Sequence, residues 1–114
     1  ELSGNEQATA DFVTLQLQSL QPDRLYTEIG GHGIAACFDS QNPGTTVLFR
    51  AELDALTIEE LNCFAHRSVH SGISHKCGHD GHSTIMVGLA KKMHQQPLKS
   101  LLVKKNFKNG QKKI

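Results

Sequence analysis

The stretch "GISHKCGHDGHSTIMVGLA", residues 72–90, runs from a turn rich in histidine directly into an apolar segment. Beyond the turn, apolar side chains recur at the spacing of one helical face, and they are Ile85, Met86, Leu89 and Met93. This pattern predicts a helix over 81–94, which Pro97 is expected to end. The stretch therefore predicts a polar turn that leads into an amphipathic helix.

Upstream of this turn the sequence predicts another helix and two strands. Apolar residues at helical spacing predict an amphipathic helix over 5–20. The residues on its expected packed face are Ala8, Phe12 and Leu15, with Val13 and Leu20 as further candidates. The stretches 26–40 and 45–56 are expected to pair as a hairpin, with 47–49 buried on both faces and a tight turn or bulge at 30–33. Helices and strands that alternate in this way predict a layered α/β architecture.

Length and charge divide the chain into two parts. Its 114 residues suit one small domain or one piece of a larger one. Residues 1–90 hold all eleven acidic residues against four basic ones, a net charge of −7, whereas residues 91–114 hold eight lysines and no acid, a net charge of +8. We therefore expect a regular part over 1–97 and a lysine-rich, divergent or truncated tail over 98–114.

Composition also limits the partners and the compartment. No apolar run reaches the roughly 18–20 residues that a membrane span needs. The three cysteines are odd in number and lack the spacing of a disulfide framework, which favours a reducing, cytoplasmic environment. The tail could be a polyanion-binding arm, but it has no arginine and one aromatic residue, so a solvated end is favoured and no nucleic-acid partner is expected.

The histidine-rich turn is a candidate metal site. Five of the seven histidines fall within 17 residues, and they are His66, His70, His75, His79 and His82. In an extended segment positions i and i+2 point to the same side, so Cys77 and His79 can present a thiolate and an imidazole to one ion. Asp80 or His82 could then fix the tautomer of a ligand. The alternative is a set of solvated loop histidines with one buried thiol.

Two weaker constellations accompany this turn. Glu52 and Asp54 lie two residues apart in the second predicted strand and could face the same cleft, in metal ligation, histidine orientation or general-base catalysis. A solvated strand end explains that pair equally well. Cys63, His66 and His70 could form a separate structural zinc site, although the spacing lacks a matching second half.

The segments "LFRAELDAL" and "HRSVHSGISHKCGHDGHSTIMVGLAKKMH" together resemble the amino-terminal part of the metal-dependent amidohydrolases. This aminoacylase and carboxypeptidase family includes hippurate hydrolase, N-acyl-amino-acid hydrolases and indole-acetyl-amino-acid hydrolases, and the resemblance covers 12–97. It implies a partial zinc-peptidase-like catalytic domain, with a mixed sheet flanked by helices. It also implies a two-metal centre, with zinc or manganese and with nickel or cobalt as alternatives, that hydrolyses the amide bond of N-acyl amino acids. The complete enzyme could be a homodimer.

The resemblance also implies roles for individual residues. Cys77 and His79 match metal ligands of the family, and Asp54 matches an aspartate that supports the metal shell. Glu52 stands where an aspartate is usual, and Thr57 stands where a proline is usual. Neither of these two departures from the family pattern is expected to remove the metal site.

The tail departs further from the family pattern. Aligning 101–103 with the next family strand puts Phe107 and Lys108 where the general-base glutamate and a second, metal-binding glutamate belong. We therefore expect an incomplete, inactive portion of an amidohydrolase. The alternative is a non-catalytic metal-binding remnant that coordinates zinc through Cys77, His79 and a neighbour such as His75 or His82. Without neighbouring strands, the stretch around 47–49 is expected to leave an exposed sheet edge and apolar patch that promote self-association.

Overall fold

Two helices and two strands follow one another along residues 1–96, the part of the chain that the computed structural model describes. They are α1 (Gln7–Gln18), β1 (Arg24–Ile29), β2 (Gly33–Cys37) and α2 (His79–Gln95). The predicted α/β class is confirmed. Both helices begin and end within about two residues of their predicted bounds, as expected for helix ends read from a sequence. The tail over 98–114 and Pro97 lie outside the described residues.

The hairpin lies within the first predicted strand and not between the two predicted strands. β1 and β2 pair antiparallel, with Arg24 opposite Cys37, and together they form a two-stranded sheet in the described region. Gly30 and Gly31 take φ values of 62° and 119°, which reverse the chain between the strands. A Cβ atom on Gly33 would collide with the Ile29 carbonyl. The glycines therefore form the predicted tight turn, and the prediction that 26–40 pairs with 45–56 was wrong.

The second predicted strand is not a strand, and its apolar centre is exposed. Within residues 1–96, the segment 45–54 has no strand partner. Val47, Leu48 and Phe49 are 40%, 85% and 51% exposed, so the prediction that they are buried on both faces was wrong. An extended segment is buried in a sheet only when neighbouring strands cover it. The expected exposed apolar patch is thus confirmed, while self-association stays a prediction.

The helices bury small residues and expose several large ones. Ala10 of α1 and Ala90 of α2 are buried, whereas Phe12 and Leu15 of α1 are more than 60% exposed. Ala8 is also exposed, so the packed face predicted for α1 was wrong. On α2, Ile85 is 66% exposed, while Met86, Leu89 and Met93 are half-buried. Because alanine is small, the buried Ala10 and Ala90 allow α1 and α2 to pack closely.

The centre of the fold is a backbone clamp, formed by Glu1, the stretch 54–56 and Ser74. The backbone N–H groups of Leu56 and Ser74 each donate to the other residue's carbonyl, both at 3.0 Å, and Ala55 N–H donates to the Glu1 carbonyl at 2.7 Å. Ala55 is 4% and Ser74 is 2% exposed. The Ser74 hydroxyl donates to the Ile58 carbonyl at 2.6 Å. The clamp therefore holds the 54–56 stretch between the amino end and the histidine-rich turn.

The Ser74 hydroxyl gives a direct test of this clamp. Ser74→Ala removes the buried donor and leaves the Ile58 carbonyl without its partner, so we expect unfolding to be easier by about 1–3 kcal/mol. Urea denaturation followed by circular dichroism measures the change. Ser3→Ala, at an exposed serine, should change the free energy by less than about 0.5 kcal/mol. Equal effects of the two substitutions would contradict the role of Ser74.

Candidate metal centre

The imidazole of His79 is oriented by Asp54. His79 Nδ1 lies 2.9 Å from Asp54 Oδ1 and 3.0 Å from the Asp54 backbone carbonyl oxygen. A carbonyl oxygen only accepts hydrogen bonds, so Nδ1 carries a proton, and in the neutral form of the ring the lone pair is on Nε2. A histidine that is held in this way is the usual form of a metal ligand in proteins. The side chains of His79 and Asp54 are 15% and 24% exposed.

The backbone clamp and α2 position these two side chains. Asp54 directly precedes Ala55, which the clamp fixes, and His79 is the first residue of α2. The Ser83 hydroxyl of α2 donates to the Glu52 carbonyl at 2.8 Å and ties the helix to the same extended segment. Glu52 and Asp54 therefore lie beside the start of α2, next to the histidine-rich turn.

Glu52, His79 and His82 form a three-residue cluster, in which one potential ligand atom from each residue lies within 4.8 Å of the others. The His79 and His82 rings are 5.9 Å apart between centroids. Two imidazoles and one carboxylate are a donor set that suits zinc and other first-row divalent ions. The described residues thus fit the metal ion that the sequence led us to expect.

Cys77 stands apart from this cluster. Its thiol is exposed and free, and Cys77 is not in the three-residue cluster. The structure brings His79 and Asp54 together, but it places Cys77 on the surface of the same turn. The ligand role of Cys77 stays a prediction.

The weaker zinc pattern finds no support in the described region. Cys63, His66 and His70 are exposed, and within residues 1–96 they do not form a cluster of ligand atoms such as that of Glu52, His79 and His82. His66 stacks on Phe64, with the ring centroids 4.3 Å apart. An exposed stacked ring explains this histidine without a metal.

The sequence predicted His82 as one possible neighbour of His79 and placed Glu52 near the same turn, but it did not predict that these three residues form one cluster. The predicted helix began at residue 81, whereas α2 begins at His79. A helix that starts at residue 79 places His79 and His82 on one face, at spacing i and i+3. The correct start of the helix would have indicated that His79 and His82 share a face, but a sequence pattern defines the ends of a helix poorly.

Two acidic side chains hold the loops around the site. Glu59 accepts hydrogen bonds from the Gly72 N–H at 2.6 Å and from the Ser71 hydroxyl at 3.2 Å. Glu60 pairs with the Lys76 ammonium, one residue before Cys77. The hydrogen bond from Lys76, followed by that from the Asn62 backbone N–H, lowers the pKa of Glu60 below its ordinary value of 4.5. These carboxylates tie the 57–62 loop to the histidine-rich turn.

Comparison with known proteins gives the family context of this geometry. No family model matches the chain. An N-acyl-L-amino acid amidohydrolase of Geobacillus stearothermophilus is 42% identical over 91 residues, which are 80% of this chain and 24% of that protein. An N-acetyldiaminopimelate deacetylase of Bacillus pumilus is 32% identical over 103 residues, which are 90% of this chain and 27% of that protein. The resemblance to the amidohydrolases is confirmed.

A solved structure supports the same conclusion for the fold. An aminohydrolase from methicillin-resistant Staphylococcus aureus superimposes with a TM-score of 0.76 at 35% sequence identity, over 84% of this chain and 25% of that one. This solved aminohydrolase therefore shares the architecture of the described chain. The chain spans about a quarter of the length of the curated relatives it matches. Within 1–96, neither helix is long and apolar enough to cross a membrane.

The lowered pKa of Glu60 predicts how stability depends on pH. Because the folded pKa lies below 4.5, the ionised side chain stabilises the fold above that value, and this contribution is lost as pH falls through the folded pKa. Glu60→Gln should therefore reduce stability at neutral pH, with the difference from the parent chain shrinking below pH 4.5. Urea denaturation across this range measures it, with the exposed Glu28→Gln as control. A difference in the free energy of unfolding that does not change with pH would contradict a stabilising role of the ionised Glu60 side chain.

The orientation of His79 can be measured by its tautomer. In metal-free, mildly alkaline solution, two-bond ¹H–¹⁵N spectra should show the proton of His79 on Nδ1, since Asp54 accepts it there. Asp54→Ala should reduce the Nδ1–H fraction without abolishing it, because the backbone carbonyl remains. His32, in the hairpin turn, is the reference histidine. A dominant Nε2–H form in the parent chain would refute the assigned orientation.

Proposed function

We propose that this chain supplies part of the metal centre of an enzyme that hydrolyses the amide bond of N-acyl amino acids. The observation that carries this proposal is the pair of hydrogen bonds from His79 Nδ1 to Asp54, which leave Nε2 free within the "CGHDGH" turn. A preoriented imidazole with a largely buried ring is what a metal-dependent hydrolase requires of a ligand.

The substrate class follows from the relatives. The relative in Geobacillus stearothermophilus is named for N-acyl-L-amino acids, and the one in Bacillus pumilus is named a deacetylase of N-acetyldiaminopimelate. Both names describe an acyl group in amide linkage to an amino acid. We therefore propose a small N-acyl amino acid as the substrate of the complete enzyme.

His79 and, by resemblance, Cys77 would hold the ion, and Asp54 keeps His79 in its ligating tautomer. A bound divalent ion would polarise the carbonyl group of the substrate and activate a water molecule for attack on it. The Asp54 carboxylate accepts a hydrogen bond from His79 Nδ1–H, which fixes the tautomer and the orientation of the ring. The Asp54 backbone carbonyl accepts a hydrogen bond from the same N–H group, so the ring keeps one orientation even when the carboxylate moves.

The general base is proposed to be missing from this chain. By resemblance it belongs at Phe107, and neither an aromatic ring there nor the lysine at 108 can take up a proton from water at neutral pH. Both positions lie outside the described residues. We therefore propose metal binding without turnover by this chain alone, and turnover where the missing residues are supplied.

Metal identity and cellular location are proposed on chemical grounds. Imidazole, carboxylate and thiolate donors favour zinc, with manganese, nickel or cobalt as alternatives. Cys37, Cys63 and Cys77 are all free, which supports a reducing, cytoplasmic location. A homodimer of the complete enzyme is part of the same proposal.

The test uses native protein captured from its source cells with an antibody against residues 66–90, whose intact mass is recorded first. Release of free amino acid from a panel of N-acetyl amino acids should stop with a chelator and return with zinc or manganese. A tagged His79→Ala form should lose at least about a hundredfold in rate, because a metal ligand is gone. His32→Ala, which changes a histidine of the hairpin turn, is the matched control.

Hydrolysis that survives both the chelator and His79→Ala would refute the proposed function. Stoichiometric metal uptake by a species of this chain's own mass, without hydrolysis, would support the non-catalytic alternative. A larger active species would show that the remainder of the site lies elsewhere in the native protein.

A further inference from the structure

We infer that Glu52 and His82 complete, together with His79, a binding site for one divalent cation. The inference rests on the proposed function, because it names the ligands around the same His79. It goes beyond the resemblance, which pairs His79 with Cys77. The site joins the extended 45–54 segment to the first turn of α2.

The geometry of the cluster provides the first argument. One ligand atom from each of the three residues lies within 4.8 Å of the other two, so a small ion between them could reach all three with modest side-chain rotation. His79 and His82 are one helical turn apart and their ring centroids are 5.9 Å apart. The Ser83 hydroxyl fixes the Glu52 carbonyl at 2.8 Å and brings that carboxylate beside the helix.

The state of the donors provides the second argument. His79 Nδ1 is engaged by Asp54, so its Nε2 remains available to an ion. Two imidazoles and a carboxylate bind zinc in catalytic sites that keep one coordination position open for water or substrate. The exposure of His82 leaves that open side to solvent.

The local charge provides the third argument. The amino end of α2 disfavours a cation, because the helix dipole is positive there. Two carboxylates, those of Glu52 and Asp54, lie beside this helix end and oppose that effect. Arg50 contacts Glu52 Oε1 at 3.0 Å with a side chain that is 79% exposed, so this ion pair is weak and leaves Oε2 free.

The experiment titrates the full 114-residue chain with zinc, using competition against a chromophoric chelator, and with cobalt to record the ligand-field spectrum. We expect one equivalent of bound metal. His82→Ala and Glu52→Gln should each lower the affinity at least about tenfold, since each removes one of three protein ligands. The matched controls, His32→Ala and Glu28→Gln, should leave the affinity within about twofold.

A fifth variant keeps the test valid if a site variant fails to fold. Arg50→Gln removes a competing partner of Glu52 and should raise the affinity about two- to fivefold, the size of a weak surface ion pair. Circular dichroism confirms the fold of each variant. An unchanged or weaker affinity in Arg50→Gln would overturn the inference, and so would an unchanged affinity in folded His82→Ala and Glu52→Gln.

Failure of this inference can be told apart from failure of the proposed function. Metal binding that is lost in Cys77→Ser but kept in His82→Ala and Glu52→Gln, with a thiolate-to-cobalt charge-transfer band, would overturn the inference and leave the proposed function standing. Absence of stoichiometric binding by the chain would also overturn it. Chelator-insensitive hydrolysis by the native protein would instead refute the proposed function.

Discussion

The reciprocal backbone hydrogen bonds between Leu56 and Ser74 are the constraint on which the described structure depends. Large apolar side chains contribute little to the core, because the buried residues within 1–96 are three alanines and Ser74. A fold with so small a core relies on hydrogen bonds to define its geometry. The pairing with Ser74 sets where the 54–56 stretch lies relative to the histidine-rich turn, and Glu1 secures it from the other side.

The candidate metal centre follows from that arrangement. Once residues 54–56 are held against the turn, Asp54 lies beside the first residue of α2 and accepts a hydrogen bond from His79 Nδ1–H. The orientation of a single imidazole then depends on contacts formed 25 residues away in the chain. A histidine that is ordered before an ion arrives binds it at a lower entropic cost, which is why such supporting partners affect metal affinity.

The elements that depend on local sequence were predicted correctly, and those that depend on distant partners were not. Both helices and the glycine turn at 30–33 arise from short-range rules of spacing and backbone freedom. The stretch 47–49 has the composition of an interior strand, yet within the described residues it is exposed and unpaired. The amphipathic pattern of α1 failed for a similar reason, because Phe12 and Leu15 lack a covering surface.

The sequence by itself determined the α/β class, the helix after the histidine-rich turn, the resemblance to amidohydrolases and His79 as a candidate ligand, since these depend on local pattern and residue chemistry. Only the tertiary structure decided which side chains meet. It joined His79 to Asp54, drew Glu52 and His82 to the same place, and left Cys77 exposed. The physical reason is that side chains far apart in the chain meet only where the backbone clamp and the start of α2 position them.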